Sequence, residues 1–147
     1  MTSNPQAHSV GVLSWLAMIS DTHNRLTVGD FMQQLKLGIH TGRIELLCRG
    51  DKPVAWLLWQ HPSKIQWQQL LAAHPSAAVD ANTLQGQVWL NFWVRPFGCD
   101  DKLAQAVRQV LQSKGLSPAG LNWHDPSAKD GQGALHLNVL WQKLQGM

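Results

Sequence analysis

Ser20 and His23 are the two side chains of this sequence that are best spaced to do chemistry together. They lie three residues apart in a polar segment that follows the apolar stretch of residues 9–19. An imidazole has an ordinary pKa of about 6.5, so it can take a proton from an incoming group near neutral pH. If the first helix continues to His23, then Leu16, Ser20 and His23 share one of its faces. From the residues alone, a histidine at the end of a packing helix is the simpler interpretation.

The sequence gives less support for a serine or cysteine nucleophile or for a metal site. No Asp or Glu is placed to complete a triad with Ser20, so its simpler role is to cap the helix end or to bind the histidine. The seven histidines show no His-x-x-x-His spacing, and no zinc site is predicted. Cys48 is expected in the core, and Cys99, after a loop glycine, is expected to be more exposed; neither is predicted to be a nucleophile. Asp125, which precedes a proline, is predicted to be a turn residue.

The composition is that of one globular domain spanning residues 1–147. The chain has 147 residues, of which 44% are hydrophobic and 14% are charged. Disorder is not expected, because such a chain combines ample apolar surface with a net charge of only +3. Its eight tryptophans lie mostly inside apolar runs and are predicted to pack in the core, Trp15 among them.

The charge distribution and the composition of the segments limit which classes of partner this protein is expected to bind and in which compartment it is expected to lie. The basic residues are scattered, whereas a nucleic-acid-binding face shows a cluster, so nucleic-acid binding ranks last among the function classes. A weakly basic chain, with a pI of about 9.1, suits an acidic protein partner. The N-terminus lacks the pattern of a secretory signal, and no apolar run reaches ~18 residues. We therefore expect a cytoplasmic protein with two free cysteines.

The first half of the chain is predicted to form helices around a hairpin. A helix over residues 9–19 is followed by a second one, capped by Thr27 and ending at Gly38. The segment "RIELLCRGDKPVAWLLW" predicts a hairpin that turns at RGDK, and its second arm is apolar on both faces, which is typical of a central strand. Ser63 is predicted to cap a third helix, and residues 72–86 are predicted to form a loop.

The second half predicts a strand, a helix and two further strands. Alternation in "QVWLNFWVRPFG" puts one set of side chains on one face of a strand: Val88, Leu90, Phe92 and Val94. The other face then carries Trp89, Asn91, Trp93 and Arg95. Asp100 or Asp101 caps an amphipathic helix, and short strands around residues 121–123 and 134–141 follow. The elements predict an α+β fold, with a mixed central sheet that is flanked by helices and contains one βαβ unit.

Several of these stretches resemble the toxin-activating lysine acyltransferases, which acylate RTX protoxins. "GVLSWLAMISDTH" is similar to the Gly-x-x-Ser-Trp-Leu and Ser-x-x-His signature of that family. "KPVAWLLW" is similar to its Pro-Val-Ala-aromatic strand, and "WLNFWVRPFG" to its Trp-x-x-Asp-Trp-x-x-Pro-Phe strand end. "NWHDP" is a weaker match to its Asp-Pro after the fifth strand. The resemblance covers about residues 9–126.

The resemblance implies a fold, a reaction and partners. The fold would be that of the GNAT-type N-acyltransferases, and the acyl donor would be acyl–acyl carrier protein, with no other cofactor and no metal. The acceptor would be the ε-amine of internal lysines of an RTX protoxin, and the enzyme would be a homodimer. The family's essential histidine matches His23, and the serine of that motif matches Ser20. Substrate would bind along the strand at Trp93, Val94 and Arg95, whose main chain would support the oxyanion.

One departure from the family pattern leaves two functions open. The family's catalytic aspartate aligns with Phe92, and Asn91 is expected on the opposite face of the strand, where it cannot replace a carboxylate. The chain is therefore either a lysine acyltransferase with His23 as base, or a non-catalytic relative that binds an acyl carrier or a protein client. Arg95, Lys102 and Arg108 are candidates to attract an acidic carrier, although ordinary surface charge is the simpler interpretation of each.

Overall fold

A six-stranded sheet with helices on both faces organises the computed structural model, which describes residues 2–3, 9–75, 77, 79–116, 120–126 and 133–144. In chain order the elements are β1 Thr2–Ser3, α1 Ser9–Met18, α2 Val28–Thr41, β2 Ile44–Arg49, β3 Lys52–Gln60, α3 Lys64–Ala72, α4 Ala81–Leu84, β4 Val88–Val94, α5 Asp101–Ser113, β5 Leu121–Asp125, β6 Ala134–Val139 and α6 Trp141–Leu144. The strands lie in the sheet in chain order. Only the β4–β5 pairing is parallel among the described strands. This confirms the predicted GNAT-like α+β fold.

Local signals account for most helix starts and for the hairpin. The hydroxyl of Thr27 accepts the backbone N–H of Asp30 at 3.2 Å, which caps α2. Ser63 and Gln66 form a reciprocal capping box at the start of α3. Asp100 caps α5, and the predicted hairpin is the antiparallel pair β2–β3, with β3 central in the sheet. These capping and turn predictions are confirmed.

Gly38 lies inside the second helix, and the prediction that it ends this helix is wrong. α2 continues to Thr41, and Gly42, with φ of 69°, supplies the left-handed residue at the end. Gly38 instead marks a close approach of α2 to the sheet. A Cβ at this position would lie 2.6 Å from Cδ1 of Leu58 and 2.7 Å from Cγ1 of Ile44. The glycine is required by packing rather than by helix termination.

Replacing Gly38 with alanine is expected to destabilise the fold by about 1–3 kcal/mol, the usual cost of overpacking a core. The reason is that Leu58 and Ile44 are themselves buried and cannot easily move away. Gly29→Ala, in the same helix, is the matched control. A Cβ there meets nothing within 4 Å, and the substitution should stabilise by about 0.5–1 kcal/mol. Urea denaturation measures the free energy of unfolding of both variants. Stabilisation by Gly38→Ala would contradict the packing argument.

The segment of residues 72–86 is not a plain loop, because it contains the short helix α4. Asp80 caps this helix by accepting the backbone N–H of Asn82 at 2.8 Å. α3 and α4 enclose a small core around Trp67 and Trp89. The sequence "DPSAKDGQG", residues 125–133, predicts a turn between the last two strands, and its residues 127–132 lie outside the described residues.

A β-bulge in β4 overturns the predicted alternation of its side chains. β3 pairs Leu58 with Phe92 but the next residue, Trp59, with Leu90, so Asn91 is an extra residue in β4. Before the bulge, Val88 and Leu90 therefore face the core under α5. After the bulge, Phe92 and Val94 face the core under α1 and α2. Trp89 lies on the face opposite Leu90, so α3 and α4 cover the same face of the sheet as α1 and α2.

Most tryptophans pack as predicted, with one clear exception. Among the described side chains, four indoles are fully buried: Trp56, Trp67, Trp93 and Trp123. The prediction that Trp15 is buried is wrong, because this side chain is 49% exposed on α1. The two cysteines also differ from expectation, because Cys99 is buried and Cys48 is half-buried; both are free thiols. Within the described ranges, no helix has the length and hydropathy to cross a membrane.

Candidate functional site

His23 lies in a turn after α1 rather than on the helix itself. α1 ends at Met18, close to the predicted end at residue 19, so Ser20 and His23 do not share a helix face with Leu16. The backbone N–H groups of His23 and Asn24 both donate to the carbonyl of Ser20, at 3.1 and 3.0 Å. This turn buries Ser20 and His23 together, with exposed fractions of 4% and 3%. The two predicted partners are therefore brought together by local backbone geometry.

Two hydroxyl groups hold the imidazole of His23 by one nitrogen. Nδ1 lies 2.8 Å from Oγ of Ser20 and 2.8 Å from Oγ1 of Thr22, and the two hydroxyls are 3.2 Å apart. When Nδ1 carries the proton and donates it to either oxygen, Nε2 holds the lone pair that a general base needs. Thr22 was missed by sequence reasoning, because nothing in the pattern separates it from an ordinary turn residue.

The His23 ring lines a mainly apolar cavity of about 190 Å³. The other walls come from α1, the turn and α2, and include Met18, Leu26, Val28 and Met32. Met18 and Val28 are 70% and 78% exposed, so they form the mouth rather than a closed lining. The imidazole is thus placed at the wall of a cavity that opens to solvent.

Burial lowers the pKa of His23 from 6.5 to about 4. The carboxylate of Asp125 acts in the opposite direction and raises this pKa, while the charge of Arg95 lowers it further. The imidazole is therefore neutral at pH 7 and available to accept a proton, although it is a weaker base than an exposed histidine.

The low pKa of His23 predicts a loss of stability in mild acid. Between pH 6.5 and about 4 the unfolded chain binds a proton at this position that the folded chain does not. The free energy of unfolding should therefore fall across this window as the pH falls, by about 3 kcal/mol from this group. Urea denaturation at pH 7, 5 and 4 measures the effect as the difference between wild type and His23→Gln. The matched control, exposed His61→Gln, should retain the wild-type slope.

Phe92, at the position of the family aspartate, packs in an aromatic cluster next to His23. Its ring centroid lies 6.1 Å from that of His23, 5.7 Å from Phe31 and 5.4 Å from Trp56. Among the described residues, no carboxylate is hydrogen-bonded to the His23 ring. The prediction that Asn91 points away from Phe92 is wrong, because the bulge lets both residues line one cavity.

β4 and β5 separate beyond Leu90, and an ion pair bridges the gap between them. The strands are paired only from Val88 to Leu90, opposite Leu121 to Trp123. Past that point, Arg95 donates two hydrogen bonds of 2.8 Å to the two carboxylate oxygens of Asp125. The guanidinium also donates to the carbonyl of Trp93 at 2.6 Å.

This ion pair corrects two predictions. Asp125 is not a turn residue but the buried last residue of β5, and Arg95 is not a surface charge, since its side chain is only 10% exposed. Burial acts to raise the pKa of Asp125, but hydrogen bonds from Arg95, His136 and Trp123 outweigh it and hold that pKa well below its usual range. Sequence reasoning missed this pair because its members are 30 residues apart.

The other predicted site residues are mostly structural. The side chains of Trp93 and Val94 are buried in different cores, so these side chains are not available to bind a substrate. Burial raises the pKa of the Cys99 thiol to about 11, which opposes a nucleophilic role. In the described parts of the chain, no three His, Cys, Asp or Glu side chains converge in a way that could hold a metal ion.

Comparison with known proteins identifies the family of this chain. A model of the RTX toxin acyltransferase family matches residues 3–132. The chain belongs to that family. Two Escherichia coli proteins, each named protein-lysine myristoyltransferase HlyC, are 28% and 27% identical to it over 109 residues. Each match covers 74% of this chain but 64% of the relative, so the chain spans less than two thirds of the length of these two relatives.

Proposed function

We propose that this protein transfers a fatty acyl group from acyl carrier protein to lysine ε-amines of an RTX-type protoxin, with His23 as the general base. The observation that carries the proposal is the His23 ring itself, which is held at Nδ1 by two hydroxyls and lines an open apolar cavity. Membership of the RTX toxin acyltransferase family supports the same reaction class.

The chemistry requires a proton acceptor near the amine. A lysine has a pKa of about 10.4, so its nucleophilic free-amine form is a minor species at pH 7. In the proposed reaction the amine nitrogen forms an amide bond to the acyl carbon, the carbon–sulfur bond of the thioester breaks, and Nε2 of His23 takes the proton released by nitrogen. The proton then leaves with the thiol of the carrier.

Asp125 takes over part of the role of the missing family aspartate in this proposal. Its charge raises the pKa of His23 and favours the imidazolium that forms during transfer, while the charge of its partner Arg95 opposes part of this effect. Ser20 and Thr22 supply the orientation that a carboxylate at position 92 would otherwise give. Proton transfer thus needs two separate supports, hydroxyls for geometry and a nearby carboxylate for charge.

The basic residues beside the start of α5 suit an acidic carrier. Arg49 and Lys102 line a surface cavity of about 340 Å³ there, and Arg108 is exposed on the same helix. Opposite charges would raise the rate at which the carrier associates with the protein. The family resemblance further implies a cytoplasmic homodimer, for which sedimentation at several concentrations is the test.

The decisive experiment is acyl transfer from carrier protein loaded with a radiolabelled fatty acid to an RTX protoxin fragment. Label in the fragment that resists hydroxylamine shows an amide rather than a thioester or an oxygen ester. A fragment with its lysines replaced by arginine is the acceptor control. No label above this control would contradict the proposal.

A non-catalytic binding role is the second candidate, and Phe92 is the observation that favours it. An aromatic ring in place of the family aspartate can neither accept a hydrogen bond from the imidazole nor stabilise its charged form. In the same assay, a stable complex with the acyl carrier or the protoxin fragment, without label transfer, would support this candidate.

A further inference from the structure

A second cavity, of about 290 Å³, lies on the α1–α2 face of the sheet beside the gap between β4 and β5. Asp30 of α2 stands on one side of it and His74, just after α3, on the other. Trp89 and Asn91 of β4 and His124 of β5 form the floor. The wall between this cavity and the one beside His23 is formed by Leu26 and Phe31, which line both.

Two imidazoles and an indole form the recognition surface of this second cavity. The ring centroids of His74 and His124 are 4.6 Å apart, and His74 lies 6.3 Å from Trp89. Burial, and then the charge of His124, lowers the pKa of His74. His74 is therefore neutral at pH 7 and has a ring nitrogen that can accept a hydrogen bond.

The charge of the lining favours a cation over an anion. Asp30 is the charged side chain among the residues that line the cavity, and no Lys or Arg of the described chain joins it there. Asn91 adds an amide oxygen, and Trp89 and Phe92 add aromatic surface. A carboxylate, two imidazoles and aromatic rings together match an alkyl chain that ends in an ammonium group.

We propose that this second cavity binds the side chain of the acceptor lysine, an assignment that rests on the acyl transfer proposed above. The butyl stem packs on Trp89 and Phe92, and the ammonium group is attracted to Asp30 and to the imidazoles of His74 and His124. The ring centroid of Phe92 also lies 6.1 Å from that of His23, so this cavity adjoins the turn that holds the proposed base.

The test is binding of two small probes to the full chain, without any acyl donor. N-acetyl-lysine-N-methylamide should shift the NMR signals of His74 and His124 saturably. N-acetyl-norleucine-N-methylamide, which keeps the alkyl chain but lacks the amine, should not. Asp30→Asn should weaken lysine binding by about two- to fivefold, as expected for one exposed charge pair.

The variants are chosen so that folding does not obscure the result. His124→Gln should weaken binding of the lysine probe, and Asp30→Asn tests the same site at an exposed residue if the glutamine variant does not fold. The matched control is His61→Gln, at an exposed histidine outside the cavity, which should bind as wild type. Equal shifts by both probes, unchanged affinity in Asp30→Asn, or displacement of the lysine probe by inorganic phosphate would overturn the assignment.

Failure of this assignment and failure of the acyl transfer are distinguishable. If lysine binds here but no label is transferred, the reaction is wrong and the cavity assignment survives as a lysine-binding site. If label is transferred while both probes bind equally, the reaction stands and the acceptor binds elsewhere.

Discussion

Replacing His23 with glutamine is expected to lower the rate of acyl transfer by about 10²- to 10⁴-fold, the usual contribution of a general base. Glutamine keeps a polar side chain in the buried turn but has no nitrogen lone pair with which to take a proton. The measurement is the initial rate of label transfer to the protoxin fragment at saturating acyl carrier. His40→Gln, at an exposed position late in α2, is the matched control and should transfer at the wild-type rate.

The hydroxyl groups of Ser20 and Thr22 lead to a second expectation about the rate of acyl transfer. Because Ser20 and Thr22 both lie 2.8 Å from Nδ1, loss of either one leaves the other to hold the ring. Ser20→Ala and Thr22→Val should therefore each cost less than the double variant. Lysine protonation lowers the rate steadily as the pH falls, but with the pKa of His23 at about 4 this histidine should add no further loss between pH 7 and about 5. An additional loss of rate centred near pH 6.5, or a glutamine variant with wild-type activity, would show that His23 is not the base.

Breaking the Arg95–Asp125 pair is expected to destabilise the fold severely. Both side chains are about nine-tenths buried, and removing one leaves a charge in the gap between β4 and β5 without its main partner. Arg95→Leu or Asp125→Asn should each lower the free energy of unfolding by about 3–5 kcal/mol. Urea denaturation at pH 7 is the measurement.

The exposed pair Arg49–Asp100 supplies the matched control for this prediction. The distance from the Arg49 guanidinium to the Asp100 carboxylate is 2.7 Å, as short as that in the buried pair, but the two side chains are 55% and 53% exposed. Arg49→Leu should therefore cost less than about 1 kcal/mol. The double variant Arg95→Leu with Asp125→Leu should recover part of the loss, because no unpaired charge remains. Equal, small losses for the buried and the exposed pair would show that the gap between the strands is well hydrated.

Local signals explain which features could be predicted from the sequence alone. The caps at Thr27 and Ser63 and the RGDK turn each depend on residues within four positions, so the pattern is sufficient to specify them. The pairing of Ser20 with His23 is of the same kind, since one backbone turn brings them together even though α1 ends earlier. The motifs of the RTX toxin acyltransferases are also short stretches that can be read directly.

The remaining features were decided by contacts between distant parts of the chain. The bulge at Asn91 arises from the register between β3 and β4, and it reversed which residues of β4 face which core. Gly38 is required by its contact with the sheet, and Asp125 is buried because Arg95 reaches it across the gap between the strands. The rings of His74 and His124 meet with centroids 4.6 Å apart, although the two residues are far apart in the chain. A sequence pattern carries no register between strands, so the placement of these groups could only come from the tertiary structure.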